Sequence, residues 1–300
     1  MSAAQASNSV VDRSVITASG RALLVQEGGD PAGRAVLVQL GTPSSRVLYR
    51  PHLVDAEQRG IRLISYDRPG YGGSTAHPGR SVGDCADDVR TVMDALGIER
   101  FAVWGISGGG PHVLACASLL SDRVVAAATL ASPAPFDADG LDWWADTGQE
   151  NIDDDRLILS DPEAARAKLA KDRLEFFEPD KPDVAAAHPT LFSPADAAVL
   201  TDALGEYFVH RNRTGLTPGI EGWWDDSVAL LSRWGFAVDA IQVPVMVWHG
   251  RQDRMVPFGH GEWLARRLPN ADPHLHDEDG HLTLLQNRVP TVHAWLLDHF

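Results

Sequence analysis

Apolar positions along the chain gather into short unbroken runs, and the segments between them carry helical spacing. Arg21-Ala22-Leu23-Leu24-Val25 and Ala35-Val36-Leu37-Val38-Gln39-Leu40 predict strands after a polar leader. Gly28-Gly29-Asp30-Pro31 predicts the turn between them, so a hairpin is expected to open the fold. A helix around Leu48 to Gln58 then precedes the strand Ile61 to Tyr66, and Val82 to Leu96 is expected to be helical before the apolar run Arg100 to Trp104. Pro111 to Ala117 has helical character and leads to the strand Val124 to Leu130. From about Pro135 to Phe236 no strand pattern occurs, tryptophans pair at Trp143-Trp144 and Trp223-Trp224, and Asp153-Asp154-Asp155 clusters acids, which predicts a helical insertion. The alternation resumes with Pro244 to Trp248, a helix around Gly261 to Leu268, the strand Pro273 to His276 and a last helix from Val289 to Phe300. Uniformly apolar strands alternating with helices predict an α/β fold with a mainly parallel sheet covered on both faces.

At 300 residues and 44% hydrophobic side chains, the chain has ample apolar surface for a core that needs no staples. Its two cysteines, Cys85 and Cys116, fall in expected helices without metal-type spacing and are expected to be small core residues. Asp and Glu outnumber Lys and Arg by 41 to 26, and a formal charge of -15 repels nucleic-acid phosphates and anionic lipid surfaces. Met1 to Arg13 lacks a basic start followed by an apolar block, and no run reaches the roughly 18 apolar residues of a membrane helix. The expectation is a cytoplasmic protein with a small-molecule substrate, no nucleic-acid or membrane partner and no cofactor; oligomeric state is left open.

The chemistry concentrates at Val103-Trp104-Gly105-Ile106-Ser107-Gly108-Gly109-Gly110, where a buried strand breaks sharply into a helix with a serine at the break. In a G-x-S-x-G elbow the serine sits at positive φ, and the residues two before and two after must be small because the turn crowds them. Gly105 and Gly109 meet that demand. The bland alternative for Ser107 is a helix N-cap. A serine hydroxyl needs a base, itself oriented by a carboxylate. Asp253 lies in the loop after one late strand and His281 after the next. The order Ser107, Asp253, His281 differs from both protease orders. An Asx-turn role is the alternative for Asp253, with Asp137 or Asp139 as substitutes. His249, His274 and His276 compete with His281. A packing role is expected for His249, and the His274-x-His276 pair lacks enough ligands for a metal site.

Over nearly its whole length the chain resembles the α/β-hydrolase family. The motifs are Gly105-Ile106-Ser107-Gly108-Gly109, Leu40-Gly41-Thr42-Pro43, Tyr66-Asp67-Arg68-Pro69-Gly70-Tyr71-Gly72-Gly73-Ser74, Gly250-Arg251-Gln252-Asp253 and Gly280-His281. The second resembles the family's His-Gly-x-Pro oxyanion loop, with leucine where the family has histidine. The resemblance implies an eight-stranded, mainly parallel sheet flanked by helices, with a helical cap inserted after the sixth strand. Core and cap would span 1–134 with 237–300, and 135–236. It also implies an oxyanion hole from the Thr42 and Gly108 amides. Asp67 and Arg68 are expected to be a structural pair shaping the loop beneath the cap, and Trp143, Trp144, Trp223 and Trp224 are candidate pocket walls.

The function expected from these residues is a serine hydrolase cleaving small or medium carboxylic esters through an acyl-enzyme. Alternatives on the same fold are peptidase or amidase, thioesterase, carbon-carbon hydrolase and perhydrolase chemistry. A ligand receptor built on a hydrolase fold is the rival from another class. Haloalkane dehalogenases and epoxide hydrolases resemble the fold but need aspartate where Ser107 stands.

Overall fold

A computed structural model of the chain describes residues 10–178, 188–200 and 202–300. Its centre is one eight-stranded sheet in the order β1-β2-β4-β3-β5-β6-β7-β8. The strands are β1 (Val11–Ile16), β2 (Ala22–Gly29), β3 (Arg34–Gln39), β4 (Ile61–Tyr66), β5 (Phe101–Ile106), β6 (Val124–Leu130), β7 (Val245–Gly250) and β8 (Ala271–His276). From β4 onward across the sheet every pairing is parallel, while β1 with β2 and β2 with β4 are antiparallel.

The expected opening hairpin of β2 with β3 does not form. β2 pairs with β1 and β4, and β3 lies between β4 and β5. The true hairpin partner is β1, which falls within the segment read as a polar leader. An edge strand needs no apolar run, and β1 is exposed at all but one of its positions.

Helices cover both faces. α1 (Arg50–Gln58) comes before β4, α2 (Cys85–Ala95) before β5 and α3 (Gly110–Leu119) after it. Between β6 and β7 lie α4 (Gln149–Ser160), α5 (Pro162–Glu175), α6 (Pro194–Val199), α7 (Asp202–Leu216) and α8 (Glu221–Leu230), with no strand among the described residues. The helical insertion thus follows the sixth strand, as expected. α9 (Phe258–Arg267), α10 (His281–Asn287) and α11 (Val289–Leu297) complete the chain.

The alternation of side chains along each strand creates two apolar layers. Along β5, Phe101 and Val103 face the layer built with α2, α3 and α9, while Ala102, Trp104 and Ile106 face the layer built with α1, α10 and α11. Each fully buried leucine, isoleucine or valine there contributes about 1.5–3 kcal/mol. Cys85 and Cys116 are unpaired and buried in the first layer. No helix among the described residues is long and apolar enough to cross a membrane.

Candidate active site

Three parallel strands deliver the candidate chemistry to one rim of the sheet. Ser107 follows the end of β5, Asp253 follows β7 and His281 follows β8, all at carboxyl ends, where open α/β sheets place their ligand sites. Ser107 itself has φ 56°. The turn is as crowded as the elbow pattern requires. A Cβ on Gly109 would lie 2.1 Å from the Gln39 carbonyl oxygen and one on Gly105 2.6 Å from the same atom. Ser107 is half-buried, so the hydroxyl is not sealed within the core.

The structure brings Asp253 and His281 together. His281 Nδ1 lies 2.8 Å from Asp253 Oδ2, and both side chains are buried. A carboxylate only accepts, so Nδ1 carries the proton and Nε2 keeps a lone pair. The other oxygen, Oδ1, accepts the Met255 and Val256 amides at 2.9 Å each, so the Asx-turn role coexists with the histidine contact. Burial pulls the His281 pKa down, but the Asp253 charge and hydrogen bond, with Asp196 behind them, outweigh it. The pKa rises above 6.5, with Arg211 opposing.

The competing groups have other places. Asp137 and Asp139 are exposed beside Arg233 and Arg267. His249 Nε2 donates to the Val256 carbonyl at 2.8 Å in a packed position. His274 and His276 stack on the Trp248 ring at 4.8 and 5.4 Å. Of the tryptophans, Trp143 donates to the Ala134 carbonyl and Trp144 to Asp155, while Trp143 and Trp224 pack into a small apolar cluster within the insertion. Trp223 faces Phe176.

Asp67 and Arg68 do not pair with each other, contrary to expectation. Asp67 accepts from the Arg46 amide and side chain and from the Gly73 amide. Arg68 reaches Asp226 of α8, with Nε at 2.9 Å and Nη2 at 2.6 Å. Charge separation explains the exchange: each buried ion is satisfied by an opposite charge that the sequence places far away, Asp226 lying 158 positions on. Arg68 also donates to the Leu40 and Gly41 carbonyls at 2.6 and 2.8 Å and to Thr42 Oγ1 at 3.0 Å. Support for the Leu40-Gly41-Thr42-Pro43 loop, which lacks the family's histidine, therefore comes from Arg68. That loop touches the elbow: a Cβ on Gly41 would lie 3.3 Å from Ser107 Cβ, and one on Gly108 would lie 2.5 Å from Thr42 Oγ1.

Asp196 and Asp226 carry no motif and were not among the expected site residues. Both come from the insertion and both are wholly buried. Asp196 Oδ1 accepts the Leu282 amide at 2.6 Å and the Thr283 amide at 3.3 Å, so a carboxylate from α6 caps the helix that begins with His281. Asp226 ties Arg68 and Arg80 together and also accepts from Thr42 Oγ1 at 3.1 Å. Close approach of α8 to the loop after β4 is permitted by glycines on each side. A Cβ on Gly70, which has φ 86°, would lie 2.6 Å from the Gly222 nitrogen.

Comparison with known proteins identifies the fold and its relatives. A family model described as the alpha/beta hydrolase fold matches residues 34–288. The bifunctional esterase/perhydrolase DCH of Acinetobacter calcoaceticus is 27% identical over 254 residues, covering 81% of this chain and 83% of the relative. A non-heme chloroperoxidase of Streptomyces lividans is 25% identical over 261 residues, with 81% and 83% covered. Among solved structures, a thermophilic esterase from Thermogutta terrifontis superposes with a TM-score of 0.69 at 19% identity, over 97% of this chain and all of that one.

Proposed function

The chain belongs to the alpha/beta hydrolase fold family, and from that premise we propose that it is a serine hydrolase cleaving small or medium carboxylic esters through an acyl-enzyme. His281 Nε2 takes the Ser107 proton as Oγ attacks the ester carbonyl, and Asp253 holds the imidazole and stabilises its charged form. The imidazolium returns that proton to the leaving alcohol. Water, deprotonated by the same nitrogen, then attacks the acyl-enzyme; the bond from the acyl carbon to Ser107 Oγ breaks, the imidazolium returns the proton to that oxygen, and the acid is released. The Thr42 and Gly108 amides receive the developing oxyanion, a role worth about 3–4 kcal/mol per donor. The Thr42 amide makes no hydrogen bond within the described structure, which leaves it available for that role.

The observation that carries this reading is the buried 2.8 Å contact of His281 with Asp253 on the same sheet rim as a positive-φ Ser107. Turnover of a p-nitrophenyl ester series tests it. Wild-type turnover should vanish to background in Ser107→Ala, and a phosphonate probe should map by peptide mass to Ser107. Activity retained in Ser107→Ala rejects the nucleophile.

The similarity to an esterase/perhydrolase favours a second reaction at the same site. Hydrogen peroxide in place of water would attack the acyl-enzyme and release a peracid. Monitoring peracid formation from an ester in added peroxide separates the two outcomes.

A further inference from the structure

Three arginines lie buried where the insertion meets the sheet, and one of them has no carboxylate partner among the described residues. Arg68, Arg80 and Arg211 are exposed by only 4%, 6% and 6%. Arg68 pairs with Asp226, and Arg80 with Asp225 and Asp226, at distances of 2.6–3.1 Å. Arg211, on α7, has no carboxylate within ion-pair distance among the described residues. Its Nε and Nη2 lie a long 3.4 Å from the Oδ1 of neighbouring Asn212, and its other polar partner among the described residues is the neutral Tyr207 hydroxyl. The guanidinium lies 4.6 Å from the Phe208 ring centre and 5.6 Å from that of Tyr207. Such stacking offsets part of the cost of a buried charge but supplies no counter-ion.

Its place in the fold is the candidate site. Ser45 Oγ donates to the Arg211 carbonyl at 2.8 Å, and a Cβ on Gly215, one turn further along α7, would lie 2.0 Å from the Ser44 oxygen. Ser44 and Ser45 continue directly from Thr42-Pro43, so α7 sits on the loop that touches the elbow. The Arg211 charge also acts on the His281 ring and on Arg68. A buried cation on a helix packed against the loop that meets the elbow, without a carboxylate of its own among the described residues, is poised to receive one from the substrate.

We propose that Arg211 is an anion anchor and that the substrate is an ester bearing a free carboxylate, which pairs with this guanidinium while the ester carbonyl meets Ser107. A carboxylate fits better than a phosphate. It carries one charge, which matches the single charge of the guanidinium, and its planar fork matches the guanidinium's donors. The inference rests on the serine-esterase reading above.

Mono-p-nitrophenyl esters of succinic, glutaric and adipic acid, compared with their methyl-capped neutral counterparts, give the test. Wild-type kcat/KM should favour the carboxylate form by roughly ten- to a hundred-fold at its best chain length. That ratio should collapse in Arg211→Gln and return in part in Arg211→Lys. A wild type that turns over neutral esters with no preference for the carboxylate overturns the anchor and leaves the esterase standing, as does a ratio unchanged in Arg211→Gln. Calorimetric titration with glutarate reads the anchor without turnover. Binding by wild type supports it even if no ester is cleaved, and absence of binding together with absence of preference refutes it without recourse to any variant.

Discussion

Asparagine at position 226 keeps the shape of the side chain and removes the charge that Arg68 and Arg80 share. Asp226 is wholly buried and Arg68 nearly so, so solvent screening weakens the interaction little. Burial raises the carboxyl pKa, but the two guanidiniums outweigh it and hold the group well below the usual carboxylate range, so it is ionised at neutral pH. Breaking a buried pair by neutralising one partner costs about 3–5 kcal/mol. Arg80 keeps Asp225 at 3.1 Å, so the loss falls mainly on Arg68. With an unfolding entropy of roughly 0.6 kcal/mol/K for a chain of this length, Tm should fall by about 5–8 °C. Thermal melts and kcat on a p-nitrophenyl ester, measured together, read both consequences. The paired change Arg68→Met with Asp226→Leu separates them. An apolar pair of similar volume should restore much of the Tm, whereas kcat should stay low because the Leu40 and Gly41 carbonyls have lost their donors. A Tm loss under about 2 °C in Asp226→Asn with unchanged kcat, or kcat recovering along with Tm in the pair, refutes the view that this network holds the loop.

Asp253→Asn should lower kcat by about 10⁴, the size of the serine-protease precedent, because the imidazole loses its tautomer control; a loss below tenfold would point to another carboxylate. kcat/KM should rise as His281 loses its proton, and because its pKa is raised, the inflection should lie above 6.5. Asp253, Asp196, Arg211 and His249 are the charged or titratable groups around that ring. Asp196→Asn should therefore move the inflection down and Arg211→Gln should move it up; a wild-type inflection at or below 6.5 contradicts the assignment. Gly109→Ala puts a methyl 2.1 Å from the Gln39 oxygen and should cost at least about 1–3 kcal/mol together with most of the activity, readable by denaturant melts and ester turnover.

Local order was legible from the chain because its causes are local. Unbroken apolar runs marked β3 to β7 within a residue or two, the insertion announced itself by the absence of such runs, and the crowded serine turn left its two glycines in the sequence. Asp253 and His281 were legible as loop residues in a particular order. Pairing was decided by the tertiary structure. Strand periodicity says which residues alternate, not which strand lies alongside, so β2 went to β1 and β4 instead of β3. The buried charges were decided there too. Asp67 meets Arg46 rather than Arg68 within the core, while the carboxylates that reach Arg68 and cap the helix of His281 come from the insertion once it closes on the sheet. Asp196 and Asp226 arrive from segments with no motif, and only desolvation, which exists once the insertion packs on the sheet, makes their partners obligatory.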